Sequence, residues 1–291
     1  MKKWMLFLSV YFMLCLLASC GAAADGGTVS GGIPPEQEQA AGGTARPAAA
    51  IMTCRVVEEQ SGGLLLAEAD GGTWAVYAAD AAEKLWVNGK KLRLSEPGAY
   101  ADLPGGTLAG ALVEVAYNGN VLETFPAQLG GITAITVLSD GFDDRCALYR
   151  NVLEDLWTVD EGLNSHGMTY VGMDLSGTSL SASERSALAW AFASEHGAEL
   201  VEGTWDQLAE QGYIDREHLQ WEDGCLFSIT EKAAPFSMPG QAAGEPGPGA
   251  VCFDAQKWRS GTGAYYFCDC TSVQDADGRW GGYTVGSEAI S

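Results

Sequence analysis

Apolar positions in residues 51–139 fall in short runs, at 51–57, 64–69, 73–78, 85–87, 111–117, 121–125 and 132–138. Between them stand Asp70-Gly71-Gly72, Asn88-Gly89 and Asn118-Gly119, which accept the positive φ angles that tight hairpins need. Within 111–117, Leu112, Glu114 and Ala116 alternate with Val113, Val115 and Tyr117, the period of a strand with one buried face. Strands this short, broken by turns this often, predict a small β-barrel of the OB type, with a flat sandwich as the alternative.

The pattern changes after residue 139. Leu148, Tyr149, Val152, Leu153, Leu156 and Trp157 recur one and three apart, which places them on one face of a helix over 145–157. Ser181-x-x-Glu184 is a capping box that opens a second helix, running to His196 and stopped by Gly197. Thr204-x-x-Gln207 opens a third, stopped by Gly212. Strands are expected at 225–230, 251–258, 264–271 and 279–285, with Asp277-Gly278 turning a hairpin between the last two. Residues 235–248, rich in Gly and Pro, read as a loop. Helices first and strands afterwards predict helices packed on an antiparallel sheet. The fold class expected is mainly β plus α+β: an OB-like barrel over 51–139, then an α+β domain over 140–291.

Ahead of these regions lie two segments of another kind. Met1-Lys2-Lys3 precedes an apolar run from Trp4 to Ala18 and then Ser19-Cys20-Gly21. A basic start, a core short for a membrane span and small residues at its end form an export signal over 1–19. Residues 20–50 are mostly Gly, Ala and Pro without apolar periodicity, too little buried surface to offset ordering entropy, and read as a flexible tether.

Composition narrows the function. Hydrophobic residues make up 47% of the chain and aromatics 10%, which excludes wholesale disorder. Sixteen Lys and Arg face 38 Asp and Glu, and loss of 1–19 removes two of the cations, Lys2 and Lys3. Such acidity excludes nucleic acid as a partner, because that binding is driven by clustered cations that displace counterions.

Candidate chemistry is sparse. The cysteines beyond Cys20 are Cys54, Cys146, Cys225, Cys252, Cys268 and Cys270. On one strand Cys268 and Cys270 lie about 6.6 Å apart, too far to bond each other without bending it. They pair across to Cys252 or Cys225, or all six are buried free thiols. The histidines, His166, His196 and His218, stand apart, and neither a His-Glu-x-x-His helix nor a Cys-x-x-Cys pair occurs, so no metal and no cofactor is expected. Asp275-x-Asp277-Gly278 is a turn rather than a calcium loop, and Asp140-Gly141-Phe142-Asp143-Asp144 an acidic helix start. The adjacent carboxylates Glu58-Glu59, Glu154-Asp155 and Glu222-Asp223 diverge on any regular element and read as solvated charge. The densest cluster is Lys257, Trp258, Arg259, Gly261, Gly263 and Tyr265. Glycine amides and Arg259 there would cradle an anion beside an aromatic platform, unless the stretch is a tight connection with core aromatics.

Leu17-Ala18-Ser19-Cys20 resembles the bacterial lipobox. The resemblance implies a diacylglyceryl group on the Cys20 thiol, with Cys20 as the first mature residue. The segments LYRNVLEDLW, GTWDQLAEQGYID, KWRSGTGAYYF and YTVGSEAIS resemble a module of exported Clostridia-type Gram-positive proteins, found in lipoproteins and in the outer part of some membrane metallopeptidase signal transducers. VEVAYNGNVLETFPAQL is similar to small secreted β-barrel domains of Gram-positive lipoproteins. These resemblances imply a location on the outer face of the cytoplasmic membrane. They imply no catalytic residues. The expected function is an anchored binding or sensing module with an envelope protein or cell-wall ligand as partner. A carboxylate-dependent hydrolase of cell-wall or extracellular carbohydrate is the alternative.

Overall fold

A computed structural model describes residues 50–164, 167–233 and 249–291. The export signal, Cys20, the tether up to residue 49, the loop at 235–248 and His166 lie outside the described residues. Of the described residues 41% are strand and 18% helix, a β-rich α+β arrangement of two mixed sheets.

The first sheet is built from β1 (Ala50–Gln60), β2 (Gly63–Glu68), β3 (Ala75–Ala78), β4 (Leu85–Val87), β5 (Lys90–Leu92), β6 (Leu112–Tyr117), β7 (Val121–Leu122), β8 (Ala127–Leu129) and β9 (Ala134–Val137). Its order is β5-β4-β9-β6-β1-β2-β3-β8-β7. The expected strands are there, most of them shorter than expected. β5 and β7 are the two ends of the order, so closure into a barrel is not seen. β3–β8 and β4–β9 pair in parallel and the other neighbours antiparallel. One core lies on the face carrying Cys54, Val56, Leu64, Leu66, Val113 and Ile135.

The centre of this sheet is covered on both sides. In β2, Leu64 and Leu66 enter the first core while Leu65 and Ala67 enter a second, larger one. A continuous apolar run such as Leu64-Leu65-Leu66 is what burial on two faces demands. Alternation along β1 puts Val56 in one core and its neighbour Val57 in the other, just where the pairing with β2 shifts register between Val56 and Glu58.

The second region comprises α1 (Arg145–Thr158), β10 (Tyr170–Gly177), α2 (Ala182–Glu195), β11 (Glu199–Glu202), α3 (Trp205–Glu210), β12 (Gly224–Lys232), β13 (Ala250–Ser260), β14 (Gly263–Val273) and β15 (Ser287–Ile290). Its sheet runs β11-β10-β12-β13-β14-β15. β10 pairs in parallel with both β11 and β12, so the sheet is mixed where an all-antiparallel one was expected. β10 and β11 were missed because each is joined to the next strand through a helix, and no turn dipeptide marks such a crossover. Both capping boxes form, Ser181 with Glu184 and Thr204 with Gln207.

The strand expected at 279–285 is replaced by an irregular segment with a single bridge, Thr271 to Thr284. There the Trp280 N–H donates to Asp144 Oδ1 at 2.9 Å, and the ring is drawn into the larger core. The last strand forms later, as β15 against β14.

α1 and α2 bury one face on the second sheet, through Leu153, Phe192, Phe227 and Phe253. The same core takes in Val57, Leu65 and Ala75 of the first sheet. Ser183 fixes α2 there: its hydroxyl accepts from the Glu68 N–H and donates to the Trp74 carbonyl, both at 2.8 Å. Arg55 of β1 adds an ion pair to Glu184 at 2.8 Å. The helices thus form a layer shared by both sheets.

Candidate functional site

The β13–β14 hairpin carries the six residues singled out from the sequence. Alternation along β13 sends Phe253, Ala255 and Lys257 towards the helices, and Asp254, Gln256 and Trp258 to the other face. Lys257 is fully buried. Its ammonium donates to the carbonyls of Val159 and Asp160, to Trp157 O at 3.5 Å and to Asn164 Oδ1 at 2.7 Å. These acceptors stand at the C-terminal end of α1, where the helix dipole favours a cation. Burial lowers the Lys257 pKa.

Trp258, on the opposite face, meets Trp205 edge-on at 5.8 Å. The Arg259 guanidinium donates to Leu163 O at 3.0 Å and Glu222 O at 2.6 Å. The Gly261 N–H donates to Leu219 O at 2.7 Å. Tyr265 pairs with Lys257 across the hairpin, and its hydroxyl donates to Glu288. Gly263 opens β14 opposite Ser260. The six residues therefore do not converge on one cradle: they divide between two sheet faces and a turn.

Arg259 instead borders a cleft of about 940 Å³, at the end of the sheet where β10 and β12 begin. Tyr213, Asp215, Gln220, Glu222 and Asp223 line it with Arg259. The segment after α3 shapes this wall. Gly212, at φ +87°, reverses the chain, and Asp215 then forms an antiparallel bridge to Gln220. Within that turn Asp215 Oδ1 accepts from the N–H groups of His218 at 3.0 Å and Glu217 at 2.9 Å. Its Oδ2 lies 2.8 Å from His218 Nδ1. The His218 N–H first, then the imidazole, hold the Asp215 carboxyl below its ordinary range.

Trp221 is the support behind the wall. Its ring is buried with Leu208, Ile214 and Leu226 and lies against two glycines. A Cβ on Gly172 would come within 2.5 Å of Cζ3, and one on Gly224 would overlap the ring. The arrangement puts three carboxylates, an amide and a phenol around one open space, where they can accept hydrogen bonds from hydroxyl or cationic groups. Asp215 with His218 also forms the carboxylate–imidazole pair that general bases use. Sequence reading missed this pair because it looked for histidines at metal-ligand spacing. Asp-x-x-His in a turn was the available signal.

The cysteines take no part. Cys54, Cys146, Cys225, Cys252 and Cys270 are buried and Cys268 half-buried, all as free thiols. Cys252 sits opposite Lys232 on β12, seven residues along the strand from Cys225. Cys270 pairs with Phe253 on the helix-facing side, while Cys252 pairs with Thr271 on the other. Burial pushes Cys225 and Cys270 up to about 12. Among the described residues no group of His, Cys, Asp and Glu is placed to hold a metal ion, and no helix is long and apolar enough to cross a membrane.

Compared with models of known protein families and with curated proteins, the chain matches none of them.

Proposed function

We propose that this chain is a lipid-anchored extracellular binding or sensing module of a Gram-positive envelope, attached through Cys20 to the outer face of the cytoplasmic membrane. The observation that carries the binding role is the cleft beside Arg259, open and lined by Asp215, Glu222 and Asp223. The lipobox-like Leu17-Ala18-Ser19-Cys20 supports the anchor, and the Clostridia-type resemblance of the tail supports a sensing role. For the first region we keep the small OB-type barrel as the proposed architecture, on the strength of its short strands around one core.

The test is cross-linking in native membranes with the lipidated protein and a D215N/E222Q/D223N variant. Recovery of one envelope protein or wall fragment that the variant loses supports the reading. Equal recovery by both proteins overturns the cleft as the binding surface. A Cys20→Ala chain that stays membrane-bound and is cleaved at the same site overturns the anchor.

A second reading has an observation of its own. His218 lies 2.8 Å from Asp215, which lines the cleft with Glu222 and Asp223, a set able to serve a carboxylate-dependent hydrolase of wall carbohydrate. Release of reducing ends from purified wall glycan by the wild type, absent in Glu222→Gln, would select it.

A further inference from the structure

We infer that a separate cavity, between β1, α1 and α2, binds a small amphipathic cation, a short aryl or alkyl group that carries a protonated amine. It is independent of the cleft and of the function proposed for it. Cys146, Arg150 and Glu154 recur every four residues along α1, and Leu188, Ala191 and Glu195 follow one face of α2. With the strand just after the bulge in β1, these faces enclose about 330 Å³, near the lower end of small-molecule sites.

The cavity has two chemistries. Its floor is apolar: Val57, Cys146, Leu188 and Ala191 are buried there. Burial, with Glu184 and Asp143 nearby, raises the Cys146 pKa well above its usual value, so that wall stays neutral. Ala109, Ala147 and Ala191 also line the space, and these small side chains leave it open where leucines would fill it.

The rim is acidic. Glu58, Glu59, Glu154 and Glu195 surround it with Arg150. That guanidinium pairs with Glu195, with Glu154 at 2.7 Å and with Glu58 at 3.8 Å. The other Glu154 oxygen lies 3.0 Å from His196 Nε2, and Glu59 accepts from the Ser95 hydroxyl at 2.5 Å. One guanidinium thus pairs with three of the four carboxylates around the rim. An anion would meet that excess as repulsion, and a neutral apolar molecule would leave it unanswered. A protonated amine gains hydrogen bonds to Glu58 and Glu195 that are strengthened by charge, while its apolar end covers the floor.

The test is calorimetry on the full chain in detergent with 2-phenylethylamine, its alcohol 2-phenylethanol and the carboxylate 3-phenylpropanoate. The amine is expected to bind at one site, about tenfold tighter than the alcohol, and more weakly as salt rises. The carboxylate should give no heat. Glu58→Gln and Glu195→Gln should each weaken the amine about tenfold, and Ala147→Leu should abolish its binding by filling the space. Equal affinity for amine and alcohol, no binding at millimolar amine, or unchanged binding by Ala147→Leu overturns the site. If Ala147→Leu fails to fold, the two glutamine variants decide. Amine should raise the melting temperature of the wild type more than that of either variant, and an equal rise in all three overturns the site.

Discussion

The two faces of the second sheet use the same strands for opposite purposes. On the face towards α1 and α2, Phe227, Phe253 and Phe267 pack into the large core, and Lys257 spends its charge on the end of α1. On the other face Leu226 and Trp258 meet the segment after α3. Arg259, two residues beyond Lys257 and so on the same side of β13, stands near the strand's end, where it donates to Leu163 O and borders an open cleft. A cation can hold a fold together or stand at a binding surface. Which it does depends on how far along the strand it stands and on what covers it there.

Replacing the buried cation tests the contrast hardest. Lys257→Met keeps the apolar stem but orphans carbonyls at the end of α1, at about 1–3 kcal/mol for each buried group left unpaired. We expect stability to fall by about 3 kcal/mol in urea unfolding followed by circular dichroism. A midpoint equal to that of the wild type would mean that Lys257 is not the keystone of its face.

The support behind the cleft comes next. Gly224→Ala drives a methyl into the Trp221 ring and should cost about 1–3 kcal/mol, the usual penalty of overpacking. The displaced Trp221 should also change its fluorescence. An unperturbed spectrum and melting temperature would show that the outer face yields easily.

The thiols separate the faces most gently. Cys225 and Cys270, facing the helices and pushed up to about 12, should resist a maleimide at neutral pH, while half-buried Cys268 reacts first. Alkali should expose the same difference. The folded thiols keep their protons above pH 9, where the unfolded chain has lost them, so the native state binds more protons. Stability then falls as pH rises from about 9 to 12, by at most about 1.4 kcal/mol per unit for each such thiol. Rapid labelling of Cys225 in the native protein, or stability flat over that range, would remove the distinction.

Much of the local structure was legible in the chain. Ser181 with Glu184 and Thr204 with Gln207 are complete within four residues, and both caps form. The Leu148 to Leu156 stripe is the buried face of α1. The strands of the first region were found because their turns carry Gly. The site was much less legible. Glu58-Glu59 and Glu222-Asp223 read as solvated charge, yet each pair borders a concave space, because its partners there arrive from other elements. The 257–265 cluster was the densest by composition, but alternation along two strands sends its members to different faces.

What the sequence determined by itself was whatever interactions between near neighbours decide: where helices begin, where chains turn, which segments are extended, and that the protein is acidic. Tertiary structure alone decided that β10 lies in parallel between β11 and β12, that Ser183 ties α2 to the first sheet, and that Lys257 reaches Asn164, 93 residues away. The reason is physical. A period of two or of 3.6 says which residues share a face, but the partner of that face is chosen by packing between segments far apart in the chain.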